Sequence, residues 1–241
     1  MLSEDLQIFS KCLNDFVRPF YSVDAKQISD AHWLMLRDSL SEGQLQSKLH
    51  LLDGVRRFCL ESNTSDFSPR ASSQSTPSEK KAFPLPKKFK KAAFIGHWHG
   101  LLPLMFYEFG LIESGIGVEL SSEWSQWSKK LNDHWNWQSF VSDAASFDYT
   151  DCDLIVNTSC EHMSYDWLAK IPTAGCMLVL QSTDYDIPEH INRVESVDQL
   201  ESHLLNFFAH RAADPKFEIL FRSTRPYEIY KRFTLIGGVH G

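Results

Sequence analysis

The residues able to do chemistry in this chain fall in five short polar stretches. Gly96-His97-Trp98-His99-Gly100 follows one apolar run and Glu119 ends the next; Ser142-Asp143-Ala144, Asn157–Met163 and Gln181–Tyr185 follow three more. Glycines at a strand-to-helix turn let a ligand approach the backbone, and the helix start beyond them offers free N–H groups to a carboxylate or phosphate. Glu119 lies twenty-three residues beyond Gly96. A carboxylate about 20 residues after such a turn accepts both hydroxyl protons of a ribose diol. Asp143 can accept from an exocyclic adenine amine. Asn157, Ser159 and Ser182 can donate to or accept from an amine, and Glu161 and His162 can take up a proton. Tyr165 and Tyr185 can pack on a cation or orient a carboxylate. Taken in order, the set points to a cofactor bearing adenosine. Each residue also has a plainer use: Glu119 as an exposed strand end, Glu161 as a helix cap, His162 as support for a neighbour. Cys160 has no evident base and is not expected to be a nucleophile. His97 and His99 alternate like a metal pair, but no carboxylate stands at a matching spacing, so no metal is expected.

These residues need elements that bring them to one place. From Ala92 onward, apolar runs alternate with helical stretches. The runs predict strands at Ala92–Ile95, Ile116–Leu120, Ser139–Ser142, Asp153–Asn157, Cys176–Gln181, Phe217–Phe221 and Arg232–Gly237. Helices are expected at Leu101–Phe109, Glu123–Asn132 and Tyr165–Ala169. Strand and helix in alternation imply a parallel, doubly wound α/β sheet, with ligands bound beyond the carboxyl ends of the strands. The last two strands, joined by a short stretch with Pro226, suit an antiparallel hairpin at an edge. The first sixty residues read as helical. Leu2, Leu6, Phe9, Leu13 and Phe16 make one apolar stripe that Pro19 should stop; Asp30 starts a second helix, and Leu45 to Leu60 form a third. The expected organisation is a helical cap or lid over residues 1–61, a flexible linker over 62–90, and a ligand-binding domain over 91–241. The linker carries ten Ser, Thr or Asn residues between Ser62 and Ser78 and six lysines between Lys80 and Lys91, which favour a solvated connection.

The 241 residues are 43% hydrophobic and 23% charged, enough to bury a core without metal or disulfides. Lys+Arg 24 against Asp+Glu 31 gives −7, which disfavours a broad nucleic-acid footprint. No apolar run approaches the roughly 20 residues of a membrane span, and MLSEDLQIF is acidic where a secretory signal is basic. Five cysteines, odd in number and never in C-x-x-C spacing, suit a reducing cytoplasm. The expected partner is therefore a small-molecule substrate, with no nucleic acid and no membrane; no oligomeric state is implied.

AFIGHWHG, GVEL, VSDA and DLIVNTSCEHM, in this order, resemble the nucleotide-site motifs of class I S-adenosyl-L-methionine (SAM)-dependent methyltransferases. The resemblance covers roughly residues 92–237. It implies a Rossmann-like seven-stranded sheet whose last strand is antiparallel, and SAM as cofactor or substrate. By that analogy Gly96, His97, Trp98 and Gly100 line the methionine tail, and Glu119 with Leu120 holds the ribose. Asp143 with Ala144 then faces the adenine, and Asn157 lies beside the amine and sulfonium. The usual glycine loop begins with an acid; here Phe94 stands in that place and His97, Trp98 and His99 fill the interior.

SAM has three electrophilic carbons, and the fold alone does not choose among them. FIGHWHGLLPL is similar to the glycine loop of nicotianamine synthases, and the layout of helical lid plus NTSCEHM resembles bacterial azetidine-2-carboxylate synthases. That resemblance implies intramolecular cyclisation of SAM, with release of methylthioadenosine. Its candidate catalytic residues are Asn157, Ser159, Glu161, His162, Tyr165, Ser182 and Tyr185. Two alternatives stand beside it: methyl transfer to a small-molecule acceptor giving S-adenosylhomocysteine, and a catalytically dead SAM-fold binding module.

Overall fold

A computed structural model describes residues 3–21, 30–61, 88–211 and 216–241. Three helices come first: α1 (Ser3–Tyr21), α2 (Asp30–Ser39) and α3 (Glu42–Glu61). Then follow β1 (Phe89–Ile95), α4 (Leu101–Glu108), β2 (Ile112–Glu119), α5 (Ser122–Leu131), β3 (Trp137–Val141) and β4 (Leu154–Asn157). The chain ends with β5 (Cys176–Thr183), α6 (Val197–Ala209), β6 (Lys216–Pro226) and β7 (Lys231–His240). The seven strands form one mixed sheet in the order β3-β2-β1-β4-β5-β7-β6. The first five are mutually parallel, and β7 runs antiparallel to both β5 and β6. The expected hairpin is therefore at the edge, with the last strand on its inner side.

All seven expected strands occur, with shifted ends. β1 begins at Phe89, inside the stretch expected to be linker, because the Asp153 carboxylate accepts from the backbone N–H groups of Lys90 and Lys91 at 2.8 and 3.0 Å. Two basic residues are thereby drawn into the sheet. The rest of the expected linker, residues 62–87, lies outside the described residues. α1 continues two residues past Pro19. A proline near a helix end forfeits one hydrogen bond but leaves the last carbonyls no worse off than in any helix terminus. The segment expected as a helix near Tyr165 is a 3₁₀ helix, Tyr165–Lys170, capped by Ser164. α6 has no counterpart among the expected helices; Ser196 caps it by accepting from Gln199 N–H, and it buries Leu200, Leu204 and Phe208 along one face.

Alternation along the strands feeds two cores. Leu154, Val156, Met177 and Val179 face one side, where they pack with Phe94, Phe106 and Ile236. Cys12 and Phe16 of α1 and Leu51, Leu52 and Val55 of α3 complete that same core. Ile155, Leu178, Leu180 and Leu235 face the other side and pack with Trp167, Leu168 and α6. The amino-terminal helices thus share apolar surface with the sheet. Among the described residues, no helix is long and apolar enough to cross a membrane.

Candidate functional site

A cavity of about 500 Å³ lies beyond the carboxyl ends of β1, β4 and β5. Its floor includes Ile95, Gly96, Val156, Thr158, Gln181 and Thr183. Its roof comes from the amino-terminal helices, through Phe16, Asp38, Ser39, Gln44, Ser47 and Lys48. Its walls are the turn His97–His99, the segment Ser159–His162, the loop carrying Tyr185, Glu189 and His190, and the β7 end with Tyr230 and Arg232. A volume of this size suits a small organic ligand.

The turn after β1 is tight. Gly96, Trp98 and Gly100 all have positive φ, at 61°, 51° and 84°, a region that side chains enter rarely. Two histidines anchor it in opposite directions. His97 is buried across β2: its Nε2 lies 3.0 Å from Ser139 Oγ, and a Cβ at Gly117 would come within 2.3 Å of its ring. Burial brings its pKa down to about 4, so the ring is neutral. His99 points to the amino-terminal helices, with Nδ1 at 3.4 Å from Ser39 Oγ, Phe16 edge-on at 6.0 Å and Trp124 at 4.7 Å. The two rings have different partners and do not converge.

Glu119 holds the same turn. Its carboxylate accepts from the N–H of Trp98 at 3.1 Å and of Ser121 at 3.2 Å. Burial raises its pKa and these bonds partly offset the rise. The Leu120 N–H adds a third backbone bond, so of the roughly four acceptor positions of a carboxylate about one remains; Glu119 is buried and does not itself line the cavity. Leu120, Asp143 and Ala144 stand outside the cavity, beyond β2 and β3. Leu120 is 74% exposed and Val141 55%, an apolar strip at that end of the sheet. Asp143 is exposed and accepts from Ala145 N–H at 2.8 Å.

The segment after β4 is fixed from within. Asn157 is fully buried; its Oδ1 accepts from Ser159 N–H at 2.9 Å and its Nδ2 lies 3.3 Å from Met163 Sδ. Its amide is thus engaged in shaping the loop rather than turned to the cavity. Ser159 packs where a Cβ on Gly96 would lie. Burial pushes the Cys160 thiol well above its ordinary pKa, which leaves it a poor nucleophile. Glu161 and His162 line the cavity, as does Tyr185. Tyr165 and Ser182 do not. Tyr165 sits in a separate surface hollow with His203 and Asn206, and Ser182 alternates away from the cavity while its neighbours Gln181 and Thr183 face it.

The chief residues absent from the sequence reading are Lys48, Arg232 and His190. Lys48 is half-buried, open to the cavity yet surrounded by protein. Burial, with the Arg232 charge nearby, lowers its pKa to about 7. The Arg232 guanidinium stands 5.8 Å over the Tyr230 ring, and its Nε is buried without a partner among the described residues. The sequence carried one weak signal: Lys48 is the sole charge between Glu42 and Asp53. His190 gave none.

No family model and no curated protein matches the sequence. Several solved structures are similar at low identity. Sp1610 of Streptococcus pneumoniae, named for tRNA (m1A22) methylation, is 20% identical over 64% of this chain, with a TM-score of 0.46. The match spans 65% of the Sp1610 chain, less than two thirds of its length. The N-methyltransferase NodS of Bradyrhizobium japonicum is 12% identical over 64% of this chain and 88% of its own, at 0.49. The [4+2]-cyclase SpnF is 14% identical over 64% and 76%, also at 0.49. The strand order stands on the pairing described above and does not depend on these likenesses.

Proposed function

We propose that the protein is a SAM-dependent enzyme in which an amine nitrogen attacks a carbon bonded to the sulfonium. Adenine lies on the exposed strip of Leu120 and Val141 with Asp143 at its edge, and Glu119 accepts from the ribose. The methionine end turns past the Gly96–Gly100 loop into the cavity. The observation that carries this reading is the pair Lys48, in the roof of that cavity, and Arg232, at its β7 end, near enough for the guanidinium charge to act on the lysine. Arg232 has a buried N–H with no acceptor among the described residues, and a carboxylate supplies one. Lys48, with a pKa of about 7, is substantially neutral at physiological pH and can take a proton from an α-ammonium, whose ordinary pKa is about 8.

The specific reaction we infer is ring closure of SAM itself. The neutral α-nitrogen forms a bond to the γ-carbon, the γ-carbon–sulfur bond breaks, and its electron pair stays on sulfur. Neutral methylthioadenosine and azetidine-2-carboxylate leave, and the proton goes to Lys48 and on to solvent. A carboxylate anchor and a base facing the same cavity serve the two polar groups of a single amino acid, so the reaction requires no second substrate. The cavity volume favours a second reading, methyl transfer to a small amine seated beside the methionine end.

Incubation with SAM alone, followed by mass analysis, separates the readings. Methylthioadenosine with azetidine-2-carboxylate supports ring closure. S-adenosylhomocysteine formed only when an amine is added supports methyl transfer. Absence of SAM binding by calorimetry overturns both.

A further inference from the structure

At the cavity wall, the segment after β4 and the loop after β5 bring His190 to Glu161 and His162, 29 and 28 residues earlier in the sequence. One potential ligand atom from each of Glu161, His162 and His190 lies within 4.8 Å of the other two. We infer that these residues bind one divalent first-row transition ion at the cavity wall.

The protonation pattern suits a metal. His162 Nδ1 is 3.3 Å from the Glu189 carbonyl oxygen, and His190 Nδ1 is 2.7 Å from that of Tyr185. A carbonyl only accepts, so each Nδ1–H is the donor and Nε2 is the ring nitrogen left for a metal. This backbone anchoring is how metal-ligating histidines are usually oriented. Glu161 is only 3% exposed, and its Oε2 has no partner among the described residues. A buried carboxylate oxygen without a donor is costly, and a cation answers it. Glu161 does not cap the helix that follows, because Ser164 holds that position on the 3₁₀ helix Tyr165–Lys170.

The third ligand is held in place by a two-point tie. The Asn192 N–H donates to the Glu161 carbonyl at 2.9 Å, and Asn192 Nδ2 donates to the Met163 carbonyl at 3.2 Å. The loop carrying His190 is thereby fastened to the segment carrying Glu161 and His162, and the two imidazoles meet edge to face at 4.6 Å. Ligand atoms around an ion at about 2.1 Å stand roughly 3.4 Å apart in tetrahedral geometry, so the cluster must close by about an ångström. His162 is exposed and can rotate to do so. Two imidazoles and one carboxylate select zinc, cobalt, manganese or iron over magnesium or calcium. The remaining coordination positions open into the cavity, where water or a ligand oxygen or nitrogen completes the shell.

The test uses the full chain, stripped with chelator and free of SAM, titrated with Co²⁺ and then Zn²⁺. Visible Co²⁺ absorption bands that saturate at one equivalent, and that Zn²⁺ displaces, are expected. His162→Ala and His190→Ala should each weaken binding at least a hundredfold, with Asn192→Ala weakening it about 10–100-fold. Zn²⁺ should raise the melting temperature of the parent protein and not of the two histidine variants. His162 is exposed, so that variant folds even if His190→Ala does not. Absence of saturable binding, or unchanged affinity in His162→Ala, overturns the site. Binding is read without SAM, so this result and the SAM reading stand or fall separately.

Discussion

A lysine kept beside a guanidinium acquires chemistry that an ordinary surface lysine lacks, and it also acquires a cost that can be measured. The Lys48 pKa is about 7 in the folded chain against an ordinary 10.5. Between those values the unfolded chain holds the extra proton, so stability rises with pH across that window and the full penalty applies below pH 7. Lys48→Met should therefore melt higher than the parent at pH 6, with the difference fading toward pH 10.5. In the same variant turnover should fall by about 10²–10⁴-fold, the usual contribution of a positioned base. Thermal melts at pH 6 and 10 together with initial rates check both; equal melting temperatures at pH 6 would show that the ammonium is not penalised. His97 gives a second, independent titration. Its pKa is about 4 when folded against 6.5, so the stability it contributes is lost as pH falls from 6.5 to 4. That loss is on the order of 3 kcal/mol. Denaturant titrations should show a shallower decline over this range in His97→Gln than in the parent.

The turn between β1 and α4 depends on a close fit to β2. A Cβ at Gly117 would meet the His97 ring at 2.3 Å and Trp137 at 2.7 Å, and overpacking of this kind costs about 1–3 kcal/mol. Gly117→Ala should lower stability and loosen the Ser139 contact. In a His97→Ala background the same change should cost less, and this non-additivity in a double-mutant cycle identifies the ring as the obstacle. Elements of this sort were legible in the sequence to different degrees. All seven strands were, because runs such as Leu154–Val156 and Cys176–Leu180 are unbroken apolar stretches with polar residues after them, and buried strands need no more. α6 was legible in principle through Ser196, Leu200, Leu204 and Phe208, at capping and four-residue spacing. The site was legible only in part. Gly96, Glu161 and Tyr185 follow strands and could be located by topology. His190 could not, since its position depends on Asn192 reaching back to Glu161 and Met163 across nearly thirty residues. Asn157 illustrates the opposite limit: its type suits an amine, but Ser159 N–H and Met163 Sδ already occupy it, and no spacing reveals such a local claim.

At the scale of the molecule, the question is whether the amino-terminal helices are a detachable lid or part of the structural body. Leu51 and Val55 of α3 and Cys12 of α1 are fully buried in the same core as Phe106 and Ile236. Asp5 and Arg56 pair at 2.7 Å and tie α1 to α3, while Ser39 and Phe16 meet His99 at the cavity. A lid that opens freely would cover its own apolar surface and present a polar underside. These helices instead leave one face of the sheet bare when removed. Phe16→Ala should then cost about 3–5 kcal/mol, as for other buried aromatic truncations, and should weaken cavity binding because Phe16 also lines that space. Deletion of residues 1–61 should go further and yield a chain that aggregates or melts without cooperativity, because a contiguous apolar face becomes exposed. Size-exclusion chromatography and calorimetry of the truncated chain test this directly. A monomeric fragment with a cooperative transition would mean that the sheet closes its own core, and the helices would then have to be treated as a gate whose motion admits the substrate.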